Sequence, residues 1–421
     1  MNISKKRNVA DWLFISLMSW YPLSSLINLL FASVDVSRIY LMLSLLFLMM
    51  TVSNNDVIRV LKKTSLILMI WFFYLFMFYY HTELDPVVSQ RMMKGYLTTA
   101  KVLSYKTFFF MGAVFYVCEN VNRLNHVLHN LMLFGTTLSL ILLLFVLYTE
   151  GLDFFLTDAL QIKGTSVTLI QMSYNFVVFS VLSIFVLYNK NRNDASKAGY
   201  ICLIICLLCI LFMGKRGALL SVIGPVACLI LFANKTWQKS LFYITLFIIL
   251  YFIVIQYIDY IFDFMSLFSE RLAEQSRLAY YFGDTHGRDY IWDIAISQIN
   301  RGLLFGYYPV IILDDTMSFS WGMHPHNIFL ESIMTMGIVG SIPFFLFIIS
   351  TMIKKIYRFV IIDNPYRFFG LLFIAEIIHN CFSGSLHESW IWPLLFIFSC
   401  VPSDLKTLTR HKRVFMDSRF Q

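Results

Sequence analysis

Apolar blocks of about 17–25 residues recur along nearly the whole chain, and nothing else in the sequence restricts the fold so strongly. Each block is long enough to cross a bilayer core roughly 30 Å thick as an α-helix. Of 421 residues 58% are hydrophobic and 14% charged, where soluble proteins carry about 25% charged residues. An outer-membrane barrel is excluded, because its strands alternate apolar and polar residues in segments of about ten. The expected fold is therefore an all-α polytopic membrane protein.

About twelve spans are expected: 12–31, 38–52, 65–80, 96–117, 127–148, 167–188, 200–214, 217–233, 240–262, 327–352, 367–383 and 389–402. The block Trp12–Phe31 lacks a small-residue cleavage site and reads as a first span rather than a signal peptide. Seven cysteines lie mostly inside apolar blocks, and Cys202, Cys206 and Cys209 have helical spacing. That pattern predicts packing rather than disulfides or a metal site.

Basic residues orient the chain. Lys5, Lys6 and Arg7 place the N-terminus in the cytoplasm. Every even-numbered connection is then cytoplasmic and basic, from Arg59, Lys62 and Lys63 through Arg123, Lys190 and Lys235 to Lys354, Lys355 and Arg367. The expected organisation is transmembrane helices 1–9 in 1–262, a periplasmic loop over 263–325, helices 10–12 in 326–402, and a basic cytoplasmic tail over 403–421. The net charge of +8 is thus an orientation signal, not a nucleic-acid footprint. In a double-membraned bacterium the long loop, the turn Gly214–Gly217 and the turn Gly384–Glu388 face the periplasm. No nucleotide sugar is available there, so a catalyst must take substrates that arrive activated, such as sugars on lipid diphosphates. No internal repeat and no matched pair of interrupted helices is visible, which argues against a secondary transporter.

The residues able to do chemistry gather on that outer side. Lys215 and Arg216 lie in MGKRGALL, where the positive-inside rule disfavours them. Either they snorkel to the interface or they bind an anion such as diphosphate, for which the planar Arg fork is suited. The segment 263–282 reads as an amphipathic helix over the membrane. A second loop helix is expected from Arg288 to Asn300. Arg288 at its N-terminus opposes the macrodipole, which points to an anionic partner: Asp284, Asp289 or a ligand.

The loop returns to the membrane through WGMHPHNIFLESIMTMGIVG, Trp321 to Gly340. Asn327 is suited to cap the tenth span, and Glu331 suits its positive end. His324 and His326 are either interfacial polar residues or include a general base, since a pKa near 6.5 suits proton transfer. Glu376, His379, His387 and Glu388 lie toward the same side as secondary candidates, lining a cavity or pairing with each other.

The order of these motifs is familiar: a KR-G turn, a loop with G-R before a W-x-x-A helix and GLLFGYYP, then H-x-H-N-x-x-L-E and G-I-V-G. It resembles the O-antigen ligase/polymerase superfamily of bacterial inner-membrane enzymes, with motifs over 162–352. The resemblance implies a GT-C-type, inverting, metal-independent glycosyltransferase without cofactor. It implies that His326 acts at the acceptor, that Arg216 and Arg288 hold the lipid diphosphate, and that Lys215, His324, Asn327 and Glu331 lie in the same site. The outer loop has no Asp-x-Asp pair; Asp314 and Asp315 are adjacent. The residue chemistry is consistent, because guanidinium groups aimed at a leaving diphosphate stabilise the developing charge.

The first functional reading is an O-antigen polymerase that joins undecaprenyl-diphosphate-linked repeat units, donor to acceptor, with a chain-length regulator as a partner protein. The alternative is an O-antigen ligase, which moves the glycan onto lipid A–core. A lipid-linked oligosaccharide flippase is the non-enzymatic reading.

Overall fold

The computed structural model describes residues 3–31, 34–52, 57–84, 86–151, 159–162, 165–188, 193–213, 215–232, 288–307, 325–361, 364–382, 386 and 389–401, with isolated positions between 245 and 267. Apart from those isolated positions, the ninth expected span and the amphipathic segment 263–282 lie outside the described residues, as do Asp314, Asp315, His324, His387, Glu388 and the tail 403–421.

The described chain is almost entirely helical. Six helices come first: α1 Ile3–Met18, α2 Trp20–Leu30, α3 Val36–Thr51, α4 Val57–Leu84, α5 Pro86–Glu119 and α6 Val121–Glu150. A small antiparallel hairpin follows, β1 Ala159–Ile162 with β2 Thr165–Thr168, in which Ile162 pairs with Thr165. Then come α7 Leu169–Tyr188, α8 Asn193–Phe212, α9 Arg216–Phe232, α10 Arg288–Arg301 and α11 Ile328–Thr351. A π-turn over Met352–Ile356 carries α11 into α12 Tyr357–Ile361, and α13 Arg367–Phe382 and α14 Ile391–Cys400 complete the described fold. The hairpin is absent from the sequence-based expectation, because two four-residue strands give too short an alternation to register.

The helices pack around α7, which is buried on all sides from Phe176 to Val186. Outward faces are apolar at helical spacing: Ile201, Ile204, Leu208 and Leu211 on α8, and Ile342, Leu346, Ile349 and Ile353 on α11 and its continuation are all exposed. Such stripes would drive aggregation in water, whereas lipid covers them without cost. Four helices are long and apolar enough to cross a membrane, within Val57–His81, Val121–Glu150, Leu169–Tyr188 and Ile328–Val360. A fifth is added if the bent pair α1–α2 counts as one span.

Two expected spans are not simple rods. The block 12–31 is bent by 79° between α1 and α2. Pro22 sits in the first turn of α2, where its missing N–H leaves the chain free to turn at Ser19. The block 327–352 is interrupted at Gly337, whose φ of 60° and ψ of −169° are non-helical. The last helix, α14, has 10 residues and so rises about 15 Å, half of a bilayer core.

Side-chain contacts sort the helix ends into two sets. At one end the Tyr116 hydroxyl donates to Asp11 at 2.6 Å, and Arg123 donates to Asp11 and to Asn8. Lys355 donates to the carbonyls of Phe398 and Val401, and Arg367 donates to the Val360 carbonyl at 3.2 Å while covering the Tyr188 ring. The buried Arg367 is thereby held by a carbonyl and an aromatic face. The candidate site is built at the opposite end.

Candidate functional site

The mouth of α11 is shaped from both sides. The Asn327 side chain accepts the N–H groups of Phe329 and Leu330 at 2.9 and 3.3 Å, which is the cap its residue type predicts. On the other side the Trp292 indole N–H donates to the carbonyl of buried Pro325 at 2.8 Å. Between them stands half-buried His326, with φ of 50°, the sole non-glycine residue with positive φ among the described residues. A left-handed conformation costs a non-glycine residue roughly 1–2 kcal/mol. It persists where the surroundings over-determine it, and such positions concentrate at functional sites.

Trp292 belongs to α10, so this hydrogen bond ties the loop helix to the helix mouth. The two helices share their own apolar cluster, separate from the main core: Ala295 and Ile299 with Met334, flanked by Ile291, Ile294, Leu330 and Ile333. Arg288 is the first residue of α10, one turn before Trp292. Its backbone therefore lies at the same end as His326; its side chain is outside the described residues, as is that of Arg216.

Beyond α10 the chain GLLFGY, Gly302 to Tyr307, crosses the interruption in α11 backbone to backbone. In an unbroken helix Ile338 would donate to Met334. Here Ile338 and Val339 donate instead to the carbonyls of Leu303 and Leu304, at 2.9 and 3.1 Å. The Met334 carbonyl accepts from Tyr307 at 2.8 Å. The crossing segment thus satisfies the polar groups that the break exposes, as buried backbone requires. The approach is so close that a Cβ on Gly306 would lie 2.5 Å from the Thr335 oxygen, and one on Gly337 would lie 2.2 Å from that of Leu304. The His81 ring at the end of α4 reaches the Phe305 carbonyl at 3.4 Å.

Glu331 is buried at 1% exposure, one turn into α11. Its carboxylate accepts the Leu386 N–H at 2.8 Å, while the Leu386 carbonyl accepts the Trp392 indole at 3.0 Å. Glu331 therefore anchors the approach to α14, a backbone role that its sequence position does not disclose. Glu331→Ala removes the acceptor from a buried N–H and is expected to destabilise the protein by about 1–3 kcal/mol. Thermal unfolding in detergent reads this, and Glu331→Gln, which retains a carbonyl oxygen, should lose less.

A second buried polar group joins α13 to the start of α14. Glu376 accepts from the Ser389 hydroxyl and the Trp390 N–H, each at 3.1 Å, and Asn380 donates to Ser389 at 2.7 Å. A carboxyl group at the start of α14 complements the positive helix end. His379 stacks on Tyr174 of α7, with its Nδ1 3.9 Å from Glu376. Of the secondary candidates, Glu376 and His379 are thus neighbours.

Lys215 precedes α9, and its carbonyl accepts the N–H groups of Ala218 and Leu219. Arg216 is the first helical residue rather than part of a free turn. α9 packs on α13 where Gly224 meets Ile374 and Ile378. Arg216 precedes Gly224 by eight residues, about 12 Å of helix. His326 and Asn327 are thus joined to the helix of Arg288 through the Trp292–Pro325 bond, Glu331 lies one turn further along α11, and α9, which begins with Arg216, packs on α13.

The contact of His81, the donor role of Trp292 and the backbone crossing join residues distant in the sequence. The available signal was the glycine spacing in GLLFG and MGIVG, since close backbone approach needs residues without Cβ.

Residues 201–345 match the family model described as O-antigen ligase. The matched stretch contains Lys215, Arg216, Arg288, Trp292, His326, Asn327, Glu331 and both glycines of the crossing, and it ends before the Glu376 network. No curated protein matches the chain.

Proposed function

We propose that this chain, which carries a domain of the O-antigen ligase family over 201–345, is an O-antigen polymerase of the inner membrane. It would join undecaprenyl-diphosphate-linked oligosaccharide repeat units on the periplasmic face. Twelve spans of a GT-C-like bundle, both termini in the cytoplasm and the loop 263–325 in the periplasm complete the proposal.

The observation that carries this reading is the held conformation of His326. A histidine is kept in a costly backbone geometry at a helix mouth, bonded through Pro325 to the helix that begins with Arg288. That pairing suits a transfer in which a base takes the acceptor hydroxyl proton while guanidinium groups stabilise the departing diphosphate. His326 is the base in this scheme, and Arg216 and Arg288 hold the diphosphate. Lys215, His324, Asn327 and Glu331 shape the surrounding site. The displacement at C1 inverts the sugar, and neither metal nor cofactor is needed, because the donor arrives activated. A chain-length regulator is the proposed protein partner.

The ligase reading is favoured by the description of the matched family model. In that reading the same donor is used and lipid A–core is the acceptor. The lipopolysaccharide pattern of a deletion strain separates the two. A lost polymerase leaves core capped by one repeat unit, the expected result. Bare core with accumulated lipid-linked polymer would establish the ligase instead. An unchanged pattern would exclude both.

A further inference from the structure

We propose that Trp292 is a positioning residue for the transfer reaction, fixing the backbone from which His326 projects. The proposal rests on the reading of His326 as the base, and it concerns the Trp of the W-x-x-A motif, to which the resemblance assigns no role.

The peptide that begins at the Pro325 carbonyl ends at the His326 nitrogen. Trp292 holds that carbonyl at 2.8 Å and so fixes the peptide plane on the upstream side of His326. The downstream side is fixed by Asn327, whose side chain is committed to the Phe329 and Leu330 N–H groups. With both flanking planes held, φ of His326 stays at 50° and the direction of its Cβ is determined. Without the upstream bond the plane can rotate, and the chain can relax toward the negative φ that a histidine prefers. The direction in which the imidazole projects would then change.

The surroundings of Trp292 support this role over simple packing. Among the described residues, the apolar contact of α10 with α11 is made by Ile291, Ile294, Ala295 and Ile299, and Trp292 is not one of that cluster. Trp292 adds to it one N–H, held by the Pro325 carbonyl, from a side chain that can donate but not accept. Because Trp292 stands one turn after Arg288, the same bond sets the separation between the helix that begins with Arg288 and the base. Reaction rates are sensitive to such placement, and a shift of about 1 Å can cost 10²-fold.

The test uses the full-length protein in proteoliposomes with lipid-diphosphate-linked repeat units as donor and acceptor. Trp292→Phe keeps an aromatic ring and removes the N–H. It is expected to lower kcat by about 10- to 10²-fold. KM should stay within about twofold, because substrate contacts are untouched. In a His326→Ala background, assayed in single turnovers, Trp292→Phe should produce no further loss. Incorporating 3-benzothienylalanine at position 292 replaces the N–H by sulfur at nearly the same shape, and should reproduce the kcat loss even if the Phe variant folds poorly. Wild-type kcat in the benzothienyl protein, or an equal loss with and without His326, would overturn the positioning role. Full activity of His326→Ala alone would instead remove the base assignment on which it rests.

Discussion

His326→Ala is expected to lower glycan joining by about 10²–10⁴-fold, the usual contribution of a positioned general base. The protein should still insert and accumulate. Alanine bears the same left-handed cost as histidine at φ of 50°, so this substitution removes the imidazole without changing the backbone penalty. His326→Gly supplies the control, because glycine adopts this conformation freely. The Gly variant should be equally inactive yet more stable than the Ala variant by about 1 kcal/mol. In cells the readout is loss of polymer from lipopolysaccharide at normal membrane levels of the protein. Normal polymer from either variant would sink the assignment of His326 as the base.

Gly337→Ala should be the most damaging structural change. The backbone there has φ of 60° and ψ of −169°, a region reserved almost entirely for glycine, and occupying it costs another residue roughly 1–3 kcal/mol. A Cβ would also sit 2.2 Å from the Leu304 carbonyl oxygen and 2.4 Å from the Phe305 nitrogen. Both neighbours are backbone atoms engaged in the crossing, so no side chain can rotate away. Relief requires the segment 303–306 to withdraw, which would strip Ile338 and Val339 of their acceptors. The combined loss is expected to exceed about 3 kcal/mol, and the variant should be recovered at much lower levels or unfold far earlier in detergent. Gly151→Ala separates strain from collision. Gly151 has φ of 65° and ψ of −155°, but its Cβ would meet nothing within 4 Å. Its cost should stay near that of strain alone. Equal stability of Gly337→Ala and the parent protein would show that the crossing does not hold the two halves of α11.

Much of the architecture is legible from hydropathy because membrane burial acts on every residue of a block. The helices α3, α6, α7, α8, α9, α13 and α14 lie where apolar runs predict them. The N-cap at Asn327 was legible for a similar reason, since it is satisfied within three residues of chain. The break at Gly337 was not. A glycine in an apolar block is compatible with a straight helix, and the partner that stabilises the interruption comes from Leu303 and Leu304, more than thirty residues upstream.

Glu331 illustrates the same division. Its place near the positive end of a helix is a local property. Its acceptance of the Leu386 N–H joins residues 55 apart, and no local pattern reports that pairing. Trp292 reads as an apolar residue on a loop helix until Pro325 is brought within 2.8 Å of its indole.

By itself, then, the sequence determined the membrane character, most helix positions, the cap of α11 and the candidates His326, Arg216 and Arg288. Those properties follow from residue composition and from contacts within a few positions. The tertiary structure alone decided that α11 is interrupted, that α10 rides on its N-terminal half, and that His326 is held in a left-handed backbone. Each of these depends on hydrogen bonds between distant segments, where buried polar groups must find partners wherever the packed chain supplies them.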